Sequence, residues 1–147
     1  MRLAYLDCFS GISGNMLLGA LVDAGFSERE LLDLPSILGL SEANIRIERV
    51  NRSGLGAVLV EVQVGPSPTH RHLADIEVIL NRSELEPPVK ERAVAIFRRL
   101  ARAEAEVHAC SPDEVHFHEV GASDALLDIT GSVLGFHRLG VERVICS

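Results

Sequence analysis

Four of the six histidines fall into two pairs, His70-Arg71-His72 and His116-Phe117-His118. In an extended segment, residues two apart share a face, so each pair can offer two imidazoles together while its middle residue points away. Glu119 follows the second pair directly. Asp124 and Asp128 stand four apart beyond Gly121, the spacing of neighbours on one helix face. Two imidazoles with carboxylates suit a borderline divalent ion such as Zn, Ni, Co or Mn. The carboxylates can instead hold the imidazoles in one tautomer and orientation. The plainer alternative is a capped helix start, since Asp in a first turn is favourable on electrostatic grounds alone. His70 and His72 have a similar alternative, with Thr69 capping a helix and solvent-facing histidines. Asp75, one turn beyond His72, can share its face. If the fold joins the two pairs, they supply enough nitrogen for a closed or transfer-type metal site.

A third constellation opens the chain: Asp7-Cys8-Phe9-Ser10-Gly11-Ile12-Ser13-Gly14-Asn15-Met16. It runs from the end of an apolar strand into a helix. Ligands of open α/β sheets bind beyond the carboxyl ends of strands, and helix N-termini offer unpaired N–H groups to anions. Asp7 suits a cation or a hydroxyl. Ser10, Gly11, Ser13 and Gly14 suit a nucleotide phosphate. No Lys follows the second Gly, so this is not a Walker A loop. A tight turn with serine caps fits the same residues. Cys8 is either a soft ligand or a small buried hydrophobe. His108 and His137 stand apart and read as structural.

The elements that must position these groups follow from periodicity. Arg2–Cys8 reads as a short strand. Met16–Ala24 reads as a helix closed by Gly25, and Ser27 caps a second helix through Leu34 that Pro35 and Gly39 end. Asn44–Asn51 and Ala57–Val64 alternate around Arg52-Ser53-Gly54-Leu55-Gly56, which predicts a hairpin. Leu73–Leu80 and Pro87–His108 read as helices, the second with two prolines tolerated in its first turn. A capped turn at 111–114, an apolar helix from Ser123 to Leu139 and a strand from Val141 to Cys146 complete the order β-α-α-β-β-α-α-α-β. The expectation is one α/β or α+β domain over 1–147, a small sheet with a β-hairpin and several packed helices. Length and a 47% hydrophobic content supply a core without staples.

Composition narrows the partners. A net charge of -7 opposes binding to duplex DNA or anionic membranes. Aromatics at 4% with no Trp leave no stacking platform for single strands. Cys8, Cys110 and Cys146 form no CxxC pair, which argues against a thiolate zinc site and fits a reducing cytosol. The first residues are too short an apolar run for a signal peptide, and no stretch is long enough to span a bilayer. A cytoplasmic protein is expected, and a homo-oligomer is compatible with everything above.

Three motifs in order, Asp7–Gly14, His70-Arg71-His72-Leu73-Ala74-Asp75-Ile76 and His116–Ala122 with Asp124 and Asp128-Ile129, closely resemble the LarC family. The resemblance covers essentially the whole chain. It implies a nickel chelatase that inserts Ni(II) into a pyridinium bis-thiocarboxylate mononucleotide, making the nickel-pincer cofactor of lactate racemase-type enzymes. It implies dependence on CTP with Mn(II) or Mg(II), bound by a C-terminal domain beyond these residues. On that reading the 147 residues are an N-terminal metal-handling part: His70, His72, His116, His118 and Asp128 serve nickel, Glu119 acts as ligand or base, Asp124 acts beside it, and Asp7, Ser10, Gly11, Ser13 and Gly14 line the nucleotide side. Two departures stand out. Asn15 occupies a position where the family usually has Asp, and the loop Gly65-Pro66-Ser67-Pro68 lacks a His-rich insertion. Two readings from other classes stay open beside it: a metal-dependent hydrolase of a phosphorylated metabolite, and a non-catalytic nickel carrier.

Overall fold

The computed structural model describes residues 1–65, 71–117 and 122–147, the side chain of His116 excepted. The expected mixed α/β class is what forms. The elements are β1 (Leu3–Leu6), α1 (Gly14–Asp23), α2 (Glu28–Ile37), β2 (Ala43–Arg52), β3 (Leu55–Val64), β4 (Arg71–His72), α3 (Leu73–Arg82), α4 (Pro87–His108), a 3-10 turn at Pro112–Glu114, β5 (His116–Phe117), α5 (Ser123–Arg138) and β6 (Arg143–Cys146). The strands form three separate two-stranded ladders: β1 with β6 in parallel, β2 with β3 antiparallel, and β4 with β5 antiparallel.

The hairpin forms where alternation predicts it, but its turn is tighter than the five residues expected. Only Ser53 and Gly54 lie outside the ladder, at φ 53 and 87, and Arg52 is the register partner of Leu55. Two successive positive φ values match the twist of the flanking strands. The Asn51 side chain accepts the Gly54 N–H at 3.0 Å, which fixes the corner.

Helix α2 differs from expectation in a second way. Pro35 does not end it; the helix runs on to Ile37. The proline forfeits one N–H bond near the last turn, while its carbonyl accepts from Leu40 at 2.8 Å and its ring is buried. Gly39, at φ 68, ends the segment.

Helix α5 is the centre of the molecule. Leu126, Leu127, Thr130, Gly131, Ser132, Val133, Leu134 and Gly135 are all buried. Its glycines are points of close approach. A Cβ at Gly131 would stand 2.9 Å from Leu18 and 3.2 Å from Leu31; one at Gly135 would stand 3.0 Å from Leu21 and 3.1 Å from Phe26. Helix α4 closes the other side, with Val89, Ala93, Phe97, Ala101 and Ala105 inward. At its N-terminal end, Glu86 meets His137 at 2.7 Å and Arg138 at 2.8 Å at the end of α5, which accords with a structural role for His137. The hairpin lies on α1 through Gly19. There a Cβ would stand only 2.3 Å from the Val58 carbonyl oxygen.

A backbone carbonyl held in a ladder cannot swing aside as a side-chain end can. Gly19→Ala must therefore force α1 and β3 apart. The expected loss is about 2–3 kcal/mol, the scale of core overpacking. It is read as a lower urea midpoint at unchanged slope. An unchanged midpoint would mean that the helix and hairpin are not packed this closely.

Candidate metal-handling site

The β4–β5 ladder, the shortest among the described residues, joins two of the three sequence motifs. Arg71 is the register partner of Phe117, and His72 of His116. Phe117 is fully buried and Arg71 nearly so, so the middle residue of each motif turns toward the core. His72 is half-buried. Its Nδ1 lies 3.2 Å from the Val115 carbonyl oxygen. A carbonyl only accepts, so this contact is a hydrogen bond in the tautomer protonated at Nδ1. His70, His118, Glu119 and Gly121 lie outside the described residues.

Asp75 and His72 meet at the start of α3 as a capping box. The Asp75 carboxylate accepts the His72 backbone N–H at 2.9 Å and so caps the first turn of α3. The cap is therefore His72 with Asp75, one position set that the Thr69 reading does not include.

Sequence reading missed what holds this ladder in place. The Arg71 guanidinium donates to the Ser123 hydroxyl at 3.0 Å and to the Glu42 carboxylate at 3.1 Å. Ser123 donates to the same carboxylate. These contacts hold the Glu42 carboxyl below its usual range, the Ser123 hydroxyl most of all, against the opposing effect of burial. One charged cluster thus binds β4, the first turn of α5 and the start of β2. The available signal was a cation between two histidines, which invites a surface reading rather than a buried one.

The first and third motifs also meet. A Cβ at Gly14 would stand 2.1 Å from Asp128 Oδ2. The glycine at the first position of α1 is thus the space that the Asp128 carboxyl occupies. Asp128 Oδ1 is buried with no hydrogen-bond partner among the described residues. Its pKa is pushed up to about 6, first by burial and then by the charge of Asp124. Asp124 itself is exposed, with one oxygen 2.8 Å from the Ala125 N–H. An orphaned, buried carboxylate oxygen is the kind of group that a cation or a donor completes.

In the opening turn, the Gly11 N–H donates to the Cys8 carbonyl at 2.8 Å, at φ 86. The Ser13 hydroxyl caps α1, accepting from Met16 N–H at 3.3 Å. Asp7 and Ser10 are exposed beside it. The Cys8 N–H donates to the Ser147 hydroxyl at 2.9 Å. Among the described residues, no group of three or more His, Cys, Asp or Glu is arranged to hold a metal ion, and no helix is long and apolar enough to cross a membrane.

Comparison with known proteins gives a consistent result. A family profile described as nickel insertion protein matches residues 4–147. A Desulfitobacterium hafniense protein named pyridinium-3,5-bisthiocarboxylic acid mononucleotide nickel insertion protein is 49% identical over 147 residues, covering 100% of this chain and 37% of its own length. A Thermomicrobium roseum protein carrying the nickel insertion name is 52% identical over 147 residues, covering 99% of this chain and 36% of its own. The chain thus spans little more than a third of the relatives it matches. No solved structure matches it.

Two outcomes follow from the geometry. Arg71→Ala leaves Glu42 and Ser123 without their cation and should cost about 2–3 kcal/mol, the scale of hydrogen bonds to charged groups; thermal unfolding at constant pH checks it, and a variant as stable as the parent refutes the clamp. Asp128 has the opposite sign. Its carboxyl binds a proton more tightly folded than unfolded, so stability falls as pH rises from the ordinary aspartate value of 3.8 toward about 6 and stays lower above. Asp128→Asn removes that penalty. The variant should exceed the parent in stability at neutral pH and match it in acid, and parallel pH profiles would refute the assignment.

Proposed function

Because the chain belongs to the nickel insertion protein family, we propose that it holds Ni(II) as cargo on the joined His-x-His motifs and presents it to a mononucleotide seated at the turn between β1 and α1. The observation that carries this reading is the register of β4 with β5, in which His72 stands opposite His116. Antiparallel partners lie about 4.5–5.5 Å apart at Cα, close enough for residues at both positions to serve one ion. His70 and His118, the outer members of the motifs, complete the proposed nickel set. Asp128, whose Oδ2 lies against Gly14 at the start of α1 and whose Oδ1 has no partner among the described residues, is the further member of the proposed set.

Insertion into a pyridinium bis-thiocarboxylate replaces a ring C–H by a bond from carbon to nickel, and two sulfur atoms complete the chelate. The ring carbon gives up one proton in that exchange, so a base is needed. We assign that role to Glu119 and a supporting one to Asp124, whose exposed carboxylate lies in the first turn of α5. Asp7, Ser10, Gly11, Ser13 and Gly14 receive the nucleotide. The helix start at Gly14 supports this, since N–H groups there favour a phosphate. Ser13 serves by its backbone, its hydroxyl being committed to the cap.

We assign the CTP and Mn(II) or Mg(II) requirement, and a C-terminal domain that supplies it, to the length of the relatives that this chain does not span. A chelatase of the lyase type, acting in the cytoplasm, is the whole-protein reading. We propose that this further length also covers the β1–β6 ladder. Here Leu3, Tyr5 and Val144 are exposed on it, although parallel sheets normally have both faces covered.

Calorimetric titration of the chain with Ni(II) tests the cargo site. The His72→Ala/His116→Ala variant should bind at least about tenfold more weakly, a change of about 1.4 kcal/mol. Binding equal to the parent would overturn the site.

A further inference from the structure

The parallel ladder brings together two thiols that are 138 positions apart in the chain. Leu6 of β1 is the register partner of Cys146 at the end of β6. Cys8 follows two residues later, and the two Sγ atoms stand 3.6 Å apart. Neither cysteine is in a disulfide; Cys8 is half-buried and Cys146 exposed. Cys110 stands elsewhere, just beyond the end of α4.

From this geometry we propose that Cys8 and Cys146 form a bidentate dithiolate site for a thiophilic divalent cation. Three observations carry it. First, the separation fits: two sulfurs bound at about 2.3 Å to one tetrahedral ion lie about 3.8 Å apart, and the observed 3.6 Å needs only a small adjustment. Second, the place fits. Both thiols sit at the carboxyl ends of parallel strands, where α/β sheets bind their ligands. Third, the surroundings are fixed by the backbone. The Cys8 N–H is held by the Ser147 hydroxyl at 2.9 Å and the Ser147 N–H by the Leu6 carbonyl at 3.0 Å, so hydrogen bonds tie the two strand ends together.

The chemistry balances simply. Two thiols release two protons to solvent, and the dication takes two thiolates to give a neutral chelate. No oxidant enters. Among the described residues no third His, Cys, Asp or Glu stands close enough to complete a cluster. Two coordination positions are thus left for water or for sulfur and oxygen donors of an incoming molecule, as in sites that keep an open position. The site rests on the nickel reading only for its natural cargo; the chelate follows from the two thiols.

The test uses the chain with Co(II) and Ni(II) under reducing conditions. One equivalent should raise a sulfur-to-metal charge-transfer band in the near ultraviolet. The band should persist in Cys110→Ser and in His72→Ala, and vanish in Cys8→Ser and in Cys146→Ser. Should a serine variant fail to fold, alkylation of the parent decides: bound metal should protect Cys8 and Cys146 from iodoacetamide, as read by mass spectrometry, and leave Cys110 reactive. Absence of the band, its survival in the Cys8→Ser/Cys146→Ser variant, or equal alkylation with and without metal would each overturn the dithiolate site. Calorimetric nickel binding that depends on His72 and His116 would survive that failure, and a lost histidine site would leave the band intact, so the two readings fail separately.

Discussion

A guanidinium cannot be buried without partners, and the position of Arg71 follows from that constraint. Its side chain is only 9% exposed, and it finds Ser123 at the head of α5 and Glu42 at the head of β2. Taking a charge from water costs several kcal/mol unless the acceptors are in place. The strand β4 can therefore exist where it does only when α5 and the hairpin are already docked. Because Arg71 lies between two histidines, the same bonds that satisfy its charge also set the placement of His72. Local motif geometry here depends on tertiary assembly, and a two-residue ladder would have no stability of its own.

Close approach of the helices rests on a different economy, that of missing side chains. Gly131 and Gly135 let α5 settle against Leu18, Leu21, Leu31 and Phe26, and Gly19 lets α1 settle against the hairpin backbone. Gly14 belongs to this group by geometry, but what fills its space is a carboxyl rather than a hydrocarbon. The other three increase apolar burial. Gly14 admits Asp128, a group whose burial is unfavourable, since nothing described hydrogen-bonds its Oδ1. Such a group is a local cost that packing around it must offset, and strained or unsatisfied groups of that kind collect at functional sites.

Much of the frame was legible because it is local. Prolines at a helix start, an apolar stripe and a serine cap mark Pro87–His108 and Glu28–Ile37 without reference to the rest of the chain, and valine alternation marks β3. The motif residues were legible as types at spacings. Pro35 was misread because a proline weakens one bond and does not forbid the next turn when that turn has other acceptors. What the sequence could not express was juxtaposition across distance. The pairing of β4 with β5, the burial of Arg71 against Glu42, the space that Gly14 leaves for Asp128 and the meeting of Cys8 with Cys146 each link segments tens of residues apart or more. No periodicity encodes such links; they follow from how α5 threads the core.

A protein that hands on a metal must meet two demands that oppose each other. Complete coordination gives affinity and slows release, as in closed structural sites, whereas an unfilled position lets an acceptor enter before the old ligands leave. Placing ligands on separate elements answers both demands. Donors that lie on different strands can each be weak alone and bind jointly, and an incoming chelate with carbon and sulfur donors can displace them one at a time. The two sites proposed above, on the β4–β5 ladder and on the thiols at the ends of β1 and β6, would share this property, since each draws its residues from different segments of the chain. Neither needs the ion to hold its backbone, since Arg71 fixes the first and the strand-end hydrogen bonds fix the second. On the proposed reading the fold would not rest on the ion, which distinguishes a carrier of metal from a protein whose folding depends on metal.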